Sequence, residues 1–479
     1  MVVRKIFTCV AAAFVDSFPA ARTCPESSSL SRSLSPGLRE DCASAAGSCE
    51  TFIEDQISKD LTPFHDLELA ATGPNSRSRF EQIKIYLLPS FIQPYYTGES
   101  AIRRKPSPTA YLNGIRGYAS FAVFIQHYSN EYYRGEHTFG YHSRPEDVHL
   151  IQLPFIRLCF SGGFMVTIFF LLSGYVLAYK PLQLARKNDA IGLHNNIASS
   201  IFRRGPRLFL PLIPPMFIAS TCIYLGWYGK SQFPLERWIV ETTHTSYFGQ
   251  LGETLDNFWR VISPLDGDWF YPVEDPPFWT LPLEFRGSLL IHVLVLGLSK
   301  VKTIIRMTIV SLFAIYSMQK TRWDFFLFAS GMILAELRLI RNAHPSLLEN
   351  WIQDPILFKQ AKLVKQTFWI VSFIASLYLG SWPSKAIWTY GYQTIASWTP
   401  AQYPDGLMME LFWESIAAVM LLTSLENFEP LQKIFSSRLA LYLGDISFSL
   451  DQWQSPLWWR LVDENSVKLA RWLAVKCQR

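Results

Sequence analysis

The sequence predicts an all-α fold, a polytopic transmembrane helical bundle of about nine to ten spans. Of its 479 residues, 49% are hydrophobic and only 17% are charged, whereas a soluble domain carries about a quarter charged residues. From residue 109 onward, apolar stretches recur that approach the roughly 20 residues needed to cross a bilayer. Basic residues concentrate in alternate loops between them, as the positive-inside rule requires.

Composition also limits the partners. The net charge of +5 arises from 44 basic and 39 acidic residues, a balance that does not suit nucleic-acid binding, which needs a concentrated basic stripe. The seven cysteines are scattered and form no Cys-x-x-Cys pair, so we expect no metal or redox site. We expect contact with membrane lipids and none with nucleic acid.

Three regions are predicted along the chain. Residues 1–79 form a largely disordered N-terminal extension, because much of it is rich in Ser, Ala, Pro and charge. Residues 1–20 faintly resemble a signal peptide, but a lumenal N-terminus would conflict with the loop charges. The membrane domain covers 80–455 and begins with a short surface segment at 80–97, and residues 456–479 form an atypical amphipathic tail at the interface.

The apolar stretches give nine candidate spans, and the loop charges orient them. Basic residues fill the chain before the first span and the second, fourth and sixth loops, whereas the 229–278 loop is rich in Asp and Glu. The start of the first span should therefore be cytosolic, and the 229–278 loop lumenal or extracytoplasmic. The predicted spans are 109–129, 158–179, 207–228, 279–299, 303–319, 322–340, 367–383, 408–425 and 437–450.

The first span carries two ionisable residues, Arg116 and His127. They are eleven residues apart, so in an α-helix they share a face and lie roughly 16 Å apart along the axis. Ionisable groups inside a span are costly and usually functional. The alternative is that Arg116 reaches the headgroups and His127 only makes a bundle contact. We favour function, because both residues lie on one face.

The fourth span carries Glu284 near its lumenal end, which predicts a depth matching that of His127. A carboxylate beside a histidine orients the ring and makes it an effective general base. Trp279 is a candidate substrate-pocket residue, with an interface anchor as the alternative. Arg286 points away from Glu284 at this spacing, and His292 is interpreted as a packing residue.

A compact arginine cluster, Arg203, Arg204 and Arg207, precedes the third span. Arginine forks match phosphate oxygens well, and Arg116 is predicted on the same side of the membrane. The alternative is a positive anchor for anionic lipids.

The remaining polar residues inside spans are less specific. Ser173, Glu410, Glu414 and Asp445 are interpreted as structural, and Gly174 as a point of close helix packing. The sequence contains no Gly-x-Ser-x-Gly motif, no His-Glu-x-x-His motif and no phosphate-binding glycine loop.

Four stretches give the chain a resemblance to the membrane acyltransferase 3 family, particularly its fungal members. YLNGIRGYASFAVFIQH is similar to the family's opening motif, FFLLSGYVLAY to its second span, RRGPRLFLP to its arginine motif and FWTLPLEFRGSLL to its Trp–Glu stretch. The resemblance covers roughly residues 80–455. It departs at SFSLDQWQSP, where Gln454 stands at a position that often holds histidine in the family.

The resemblance implies transfer of an acyl group, usually acetyl from acetyl-CoA, to a hydroxyl on a sugar, lipid or secondary metabolite. It makes His127 the catalytic histidine, with Arg116 and Glu284 as its catalytic partners. It assigns acyl-CoA binding to Arg203, Arg204 and Arg207. It implies acyl-CoA as a co-substrate, no bound cofactor, and a location in the endomembranes (ER or Golgi) or the plasma membrane.

The residues and the resemblance together suggest a mechanism. The phosphates of CoA dock near the arginines from the cytosol, the pantetheine arm enters the bundle, and His127, oriented by Glu284, deprotonates the acceptor. A transporter remains an alternative, because intramembrane charges also line transport pathways. An inactive scaffold is another, because of the altered C-terminal sequence.

Overall fold

Regular structure in the described parts of the chain is entirely helical, which confirms the predicted all-α class. The computed structural model describes Tyr96 and residues 109–132, 138–226, 244–264, 270–272, 274, 276–343, 355–404 and 406–447. The predicted N-terminal extension, nearly all of the 80–97 segment and the C-terminal tail lie outside these ranges.

The helices alternate with short 3-10 turns. In chain order the helices are α1 (Ala110–Tyr132), α2 (Gly162–Arg186), α3 (Ala190–Phe209), α4 (Ile213–Tyr224), α5 (Tyr247–Ile262), α6 (Thr280–Gly297), α7 (Thr303–Gln319), α8 (Trp323–Ala343), α9 (Pro355–Gly380), α10 (Gln393–Ala396), α11 (Leu407–Asn427), α12 (Glu429–Phe435) and α13 (Arg438–Asp445). The 3-10 turns are Leu150–Gln152, Ile156–Phe160, Leu210–Leu212, Pro276–Trp279 and Ala386–Trp388.

Five helical stretches are long and apolar enough to cross a membrane. They are Gly162–Arg186, Ala190–Tyr224, Pro277–Gly297, Lys362–Gly380 and Leu407–Asn427. Helix α7 is apolar but shorter. Helices α1 and α8 have 23 and 21 residues but are less apolar than these five. The chain is therefore a membrane protein, with fewer clearly apolar spans among its described residues than the nine to ten predicted.

Two predicted spans differ from the structure. The ninth, 437–450, contains only α13 among its described residues, and its 8 residues extend about 12 Å, too short for a hydrocarbon core of about 30 Å. The third, 207–228, is part of a longer helical stretch that begins at Ala190. Its early part was missed because it is amphipathic rather than apolar throughout.

Helix α2 is the centre of the bundle and packs against α1, α3, α6, α8 and α11. Its crossing with α8 is tight: a Cβ added at Gly174 would overlap the Phe328 carbonyl oxygen, and one added at Gly331 would overlap that of Leu171. Small residues let two backbones approach closely in a membrane. The predicted close packing at Gly174 is confirmed.

One buried carboxylate ties four helices together. Glu426 of α11 accepts hydrogen bonds from Tyr111 of α1 and from Tyr175 of α2, the latter at 2.9 Å. It also pairs with Arg338 at 2.8 Å and with Arg341, both on α8. Buried charges are tolerated when they are paired and hydrogen-bonded, so this cluster fixes the relative depth of the four helices.

Candidate active site

A cavity of about 600 Å³ runs along one face of α2. On this helix the lining includes Val166, Phe169, Ser173, Val176 and Lys180, a spacing of three to four residues that puts their side chains on one stripe. From Val166 to Lys180 the stripe extends about 21 Å along the axis. The cavity therefore follows much of the thickness of a bilayer, and Lys180 marks the end that the loop charges predict to be cytosolic.

Helices α1 and α13 supply one wall at the middle of the cavity. The Arg116 guanidinium donates to Asn113 Oδ1 and to the Gly444 carbonyl oxygen, both at 2.9 Å. Asn113 Nδ2 donates to Asp445 Oδ1 at 2.9 Å. Arg116, Asn113 and Asp445 all line the cavity. The short helix α13, which packs against α1, thus holds Arg116 in place.

Helices α3 and α6 supply the opposite wall. Arg204 pairs with Glu284 Oε1 at 2.6 Å, and Ser173 Oγ donates to the same oxygen at 3.1 Å. The side chains of Arg204 and Glu284 are only 13% and 21% exposed. Hydrogen bonds between charged groups are stronger than neutral ones, so the carboxylate fixes the guanidinium at the cavity wall.

The three predicted arginines do not act as one surface cluster. Arg204 and Arg207 line the cavity, whereas Arg203 does not, and Arg203 Nε instead donates to the Ser199 carbonyl oxygen at 3.1 Å. The reason is helical pitch: residues three apart share a face, whereas adjacent residues are turned by about 100°. Arg207 is exposed and Arg204 is largely buried.

Trp279 lies behind the cavity wall. Its ring contacts Tyr271 at 5.7 Å and Trp323 at 6.4 Å between centroids, and it packs against the main hydrophobic core. The next residue, Thr280, is the one that lines the cavity. The predicted role of Trp279 in the substrate pocket is therefore at most indirect, through the position of Thr280.

The structure does not bring His127 to Glu284. Gln126, the residue before His127, lies against Gly162 at the start of α2. Ser173, which holds Glu284, is eleven residues further along α2, or about 16 Å in depth. The predicted pairing is wrong in this respect, because Glu284 is nearer the middle of the bundle than its position in α6 suggested.

His127 itself lies just beyond the end of the cavity that Val166 marks. Val166, the last lining residue on α2, is four residues from Gly162, about 6 Å along the axis. The ring is half-buried, and no described residue forms a hydrogen bond with it. Its catalytic role stays a prediction.

Sequence reasoning missed several cavity residues. Ser173 and Asp445 were interpreted as structural, yet both line the cavity, as do Asn113 and Lys180. The signal for Asn113 was its position three residues before Arg116, which puts both on one face of α1. For Ser173 and Lys180 the signal was a shared stripe on α2.

Two minor predictions are confirmed. Arg286 does not pair with Glu284 but with Asp324, at 3.3 Å. His292 is a buried packing residue whose ring nitrogens lie 2.6 Å from the Ser288 carbonyl oxygen and 2.9 Å from Ser200 Oγ. Within the described ranges, no group of three or more His, Cys, Asp or Glu residues is arranged to hold a metal ion.

The family model described as an acyltransferase domain, of the acyltransferase 3 type, matches residues 109–456, most of the chain. The chain belongs to the acyltransferase 3 family. The matched region contains His127 and all the residues that line the cavity. The protein is therefore an acyltransferase, and the cavity lies within its acyltransferase domain. The transporter and scaffold alternatives receive no support from this comparison.

Curated acyltransferases from fungi are similar over most of the chain. O-acetyltransferase PaAT-1 of Phomopsis amygdali is 29% identical over 394 residues, 76% of this chain and 75% of the relative. Acyltransferase R4 of a Phoma species is 23% identical, covering 72% and 82%, and acyltransferase clz18 of Cochliobolus lunatus is 24% identical, covering 72% and 83%. No solved structure matches the chain.

Proposed function

We propose that this acyltransferase moves an acyl group, most simply acetyl, from acyl-CoA to a hydroxyl group of a sugar, lipid or secondary metabolite. The observation that carries the proposal is the cavity: it gathers Arg116, Arg204 and Arg207 from two helices along one passage into the bundle. Similarity to a fungal O-acetyltransferase supports acetyl as the group transferred. We place the protein in an endomembrane or the plasma membrane.

The donor is proposed to enter at the end marked by Lys180. This residue lines the cavity, and the loop charges predict this end to be cytosolic, where acyl-CoA is found. Guanidinium groups bind phosphate oxygens in a planar, two-point geometry. Arg204 and Arg116, held further inside, and Arg207, one turn beyond Arg204 on α3, guide the donor inward by contacting the diphosphate or the amides of the pantetheine arm.

His127 is the proposed general base at the far end. The pantetheine arm follows the stripe of α2 and carries the thioester towards the level of His127. The ring takes the proton of the acceptor hydroxyl, the hydroxyl oxygen attacks the thioester carbon, and the carbon–sulfur bond breaks. The proton then passes from His127 to the sulfur, giving the ester and free CoA. Glu284 serves this reaction by positioning Arg204 rather than by orienting His127.

The proposal is tested by replacing His127 with alanine and measuring transfer of labelled acetyl from acetyl-CoA in membranes that contain the full chain. Loss of a general base should lower kcat by about 10²-fold or more and leave the KM for acetyl-CoA unchanged. His194, exposed on α3, is the matched control, and His194→Ala should keep full activity. Normal turnover by His127→Ala would assign the base to another group.

A further inference from the structure

A carboxylate lies at a point of the cavity where an anionic donor makes it unexpected. Asp445, the last residue of α13, is exposed and lines the cavity. The same lining contains Arg116, Arg204 and Arg207. A negative charge there repels phosphate groups, and this repulsion is stronger away from bulk water. The contacts of Asp445 indicate what the carboxylate does instead of binding the donor.

We propose that Asp445 is a positioning residue, which fixes the side-chain amide of Asn113 so that Asn113 holds Arg116 for contact with the donor. The inference rests on the proposed function, because it takes acyl-CoA as the ligand that Arg116 contacts. Asn113 Nδ2 donates to Asp445 Oδ1 at 2.9 Å. Asn113 Oδ1 in turn accepts a hydrogen bond from the Arg116 guanidinium, also at 2.9 Å.

The chemistry of the three groups allows the Asn113 amide only one orientation. An ionised carboxylate can only accept hydrogen bonds, and a guanidinium can only donate them. If the amide were turned over, its oxygen would face the carboxylate of Asp445 and its NH2 group would face the guanidinium of Arg116. Asp445 therefore selects the orientation in which Asn113 Oδ1 is presented to Arg116.

Close packing of α13 on α1 keeps these contacts in register. A Cβ added at Gly444 would overlap the Asn113 carbonyl oxygen, and one added at Gly117 would overlap the Gly444 nitrogen. The same approach brings the Gly444 carbonyl oxygen to 2.9 Å from the Arg116 guanidinium. Two adjacent residues of α13 thus set the position of the guanidinium, one through its backbone and the other through Asn113.

The test measures the Kd for CoA by calorimetry, so that no acceptor is needed, on the full-length purified protein and its variants. Asp445→Ala should raise the Kd about tenfold, because Asn113 loses its acceptor. Loss of charge repulsion alone would have the opposite sign and lower the Kd. Asp445→Asn should keep the Kd no higher than that of the unmodified protein, because the new amide oxygen still accepts from Asn113 Nδ2.

A second comparison uses Arg116→Ala as the background. If Asp445 acts through Arg116, adding Asp445→Ala to this variant should change the Kd less than about twofold, because substitutions in one network are not additive. Glu429→Ala is the control, since it removes an exposed carboxylate from the neighbouring α12, and it should leave the Kd unchanged. The thermal midpoint of each variant confirms that it is folded.

Asp445→Leu fills the space of the carboxylate without an acceptor and replaces the alanine variant if that variant does not fold. An unchanged or lower Kd in these variants would overturn the inference. So would an equal effect of Asp445→Ala with and without Arg116, or an equal loss of affinity in Asp445→Asn and Asp445→Ala. If CoA does not bind the unmodified protein, the proposed function itself fails, and this inference fails with it.

Discussion

At the scale of single residues, neighbouring arginines have different surroundings. Arg204 faces the cavity, with its guanidinium against the Glu284 carboxylate. Arg203, one position earlier, is turned onto the backbone of its own helix at Ser199. The two side chains have the same charge and lie at almost the same depth, so they provide a matched pair for testing donor binding.

Arg204→Ala should raise the KM for acetyl-CoA about tenfold or more, whereas Arg203→Ala should change it less than about threefold. A hydrogen bond to a charged group contributes about 1.5–3 kcal/mol, and about 1.4 kcal/mol corresponds to a tenfold change in affinity. Steady-state kinetics in membranes, normalised to the amount of folded protein, measure both values. Equal effects of the two substitutions would point to general attraction by surface charge.

Glu284→Gln extends this comparison. The amide keeps a contact with Arg204 but removes the negative charge, so the KM for acetyl-CoA should rise severalfold while kcat changes little. A collapse of kcat with an unchanged KM would instead give Glu284 a direct part in the chemistry.

At the scale of helices, the site depends on how closely α2 approaches α8. Gly174 and Gly331 let the two backbones meet, and Ser173 lies directly beside this crossing. A larger side chain at either glycine would force the helices apart and move the whole cavity-lining stripe of α2.

Gly174→Leu should therefore reduce the yield of folded protein and its midpoint of thermal unfolding. Overpacking a well-packed interior costs about 1–3 kcal/mol, and contact here is with backbone, which cannot move aside as a side chain can. Gly252→Leu in α5 is the matched control, because a Cβ there meets nothing within 4 Å. Fluorescence-detected gel filtration after heating measures the difference. Equal behaviour of the two variants would contradict a tight crossing.

At the scale of the whole molecule, the Glu426 cluster joins α1, α2, α8 and α11 at one end of the bundle. Removing its negative charge leaves Arg338 and Arg341 facing each other with less compensation. Breaking a buried ion pair costs about 3–5 kcal/mol, so Glu426→Gln should destabilise the protein strongly.

Glu429→Gln is the control for this substitution, because Glu429 is exposed and lies only one turn away. Thermal unfolding of both variants in the same detergent should show a large loss for Glu426→Gln and almost none for Glu429→Gln. A small loss for both would mean that apolar packing alone sets the depth of the four helices.

The sequence predicted the broad features of the molecule better than the contacts between individual side chains. Hydrophobic content and length predicted the helical class, and intramembrane charge pointed to Arg116, Arg204, Arg207 and Glu284, all of which line one cavity. The contact between Arg204 and Glu284 was not predictable, because it joins positions 80 residues apart and depends on the rotation and depth of two helices. The loop charges predict the direction in which each span crosses the membrane. They do not predict the depth of a residue in that span to within one helical turn.

The long helical stretch Ala190–Tyr224 has a consequence for the surrounding lipid. Its 35 residues, which include the 3-10 turn Leu210–Leu212, have a path length of about 50 Å. This exceeds a hydrocarbon core of about 30 Å, and Arg204 and Arg207 lie part-way along it. Long helices tilt further in thinner bilayers, and a change in the tilt of α3 would shift Arg204 against Glu284 on α6. Bilayer thickness should then tune donor affinity. The Kd for CoA should differ between vesicles of short-chain and long-chain phosphatidylcholine, and equal affinity in both would show that α6 moves together with α3.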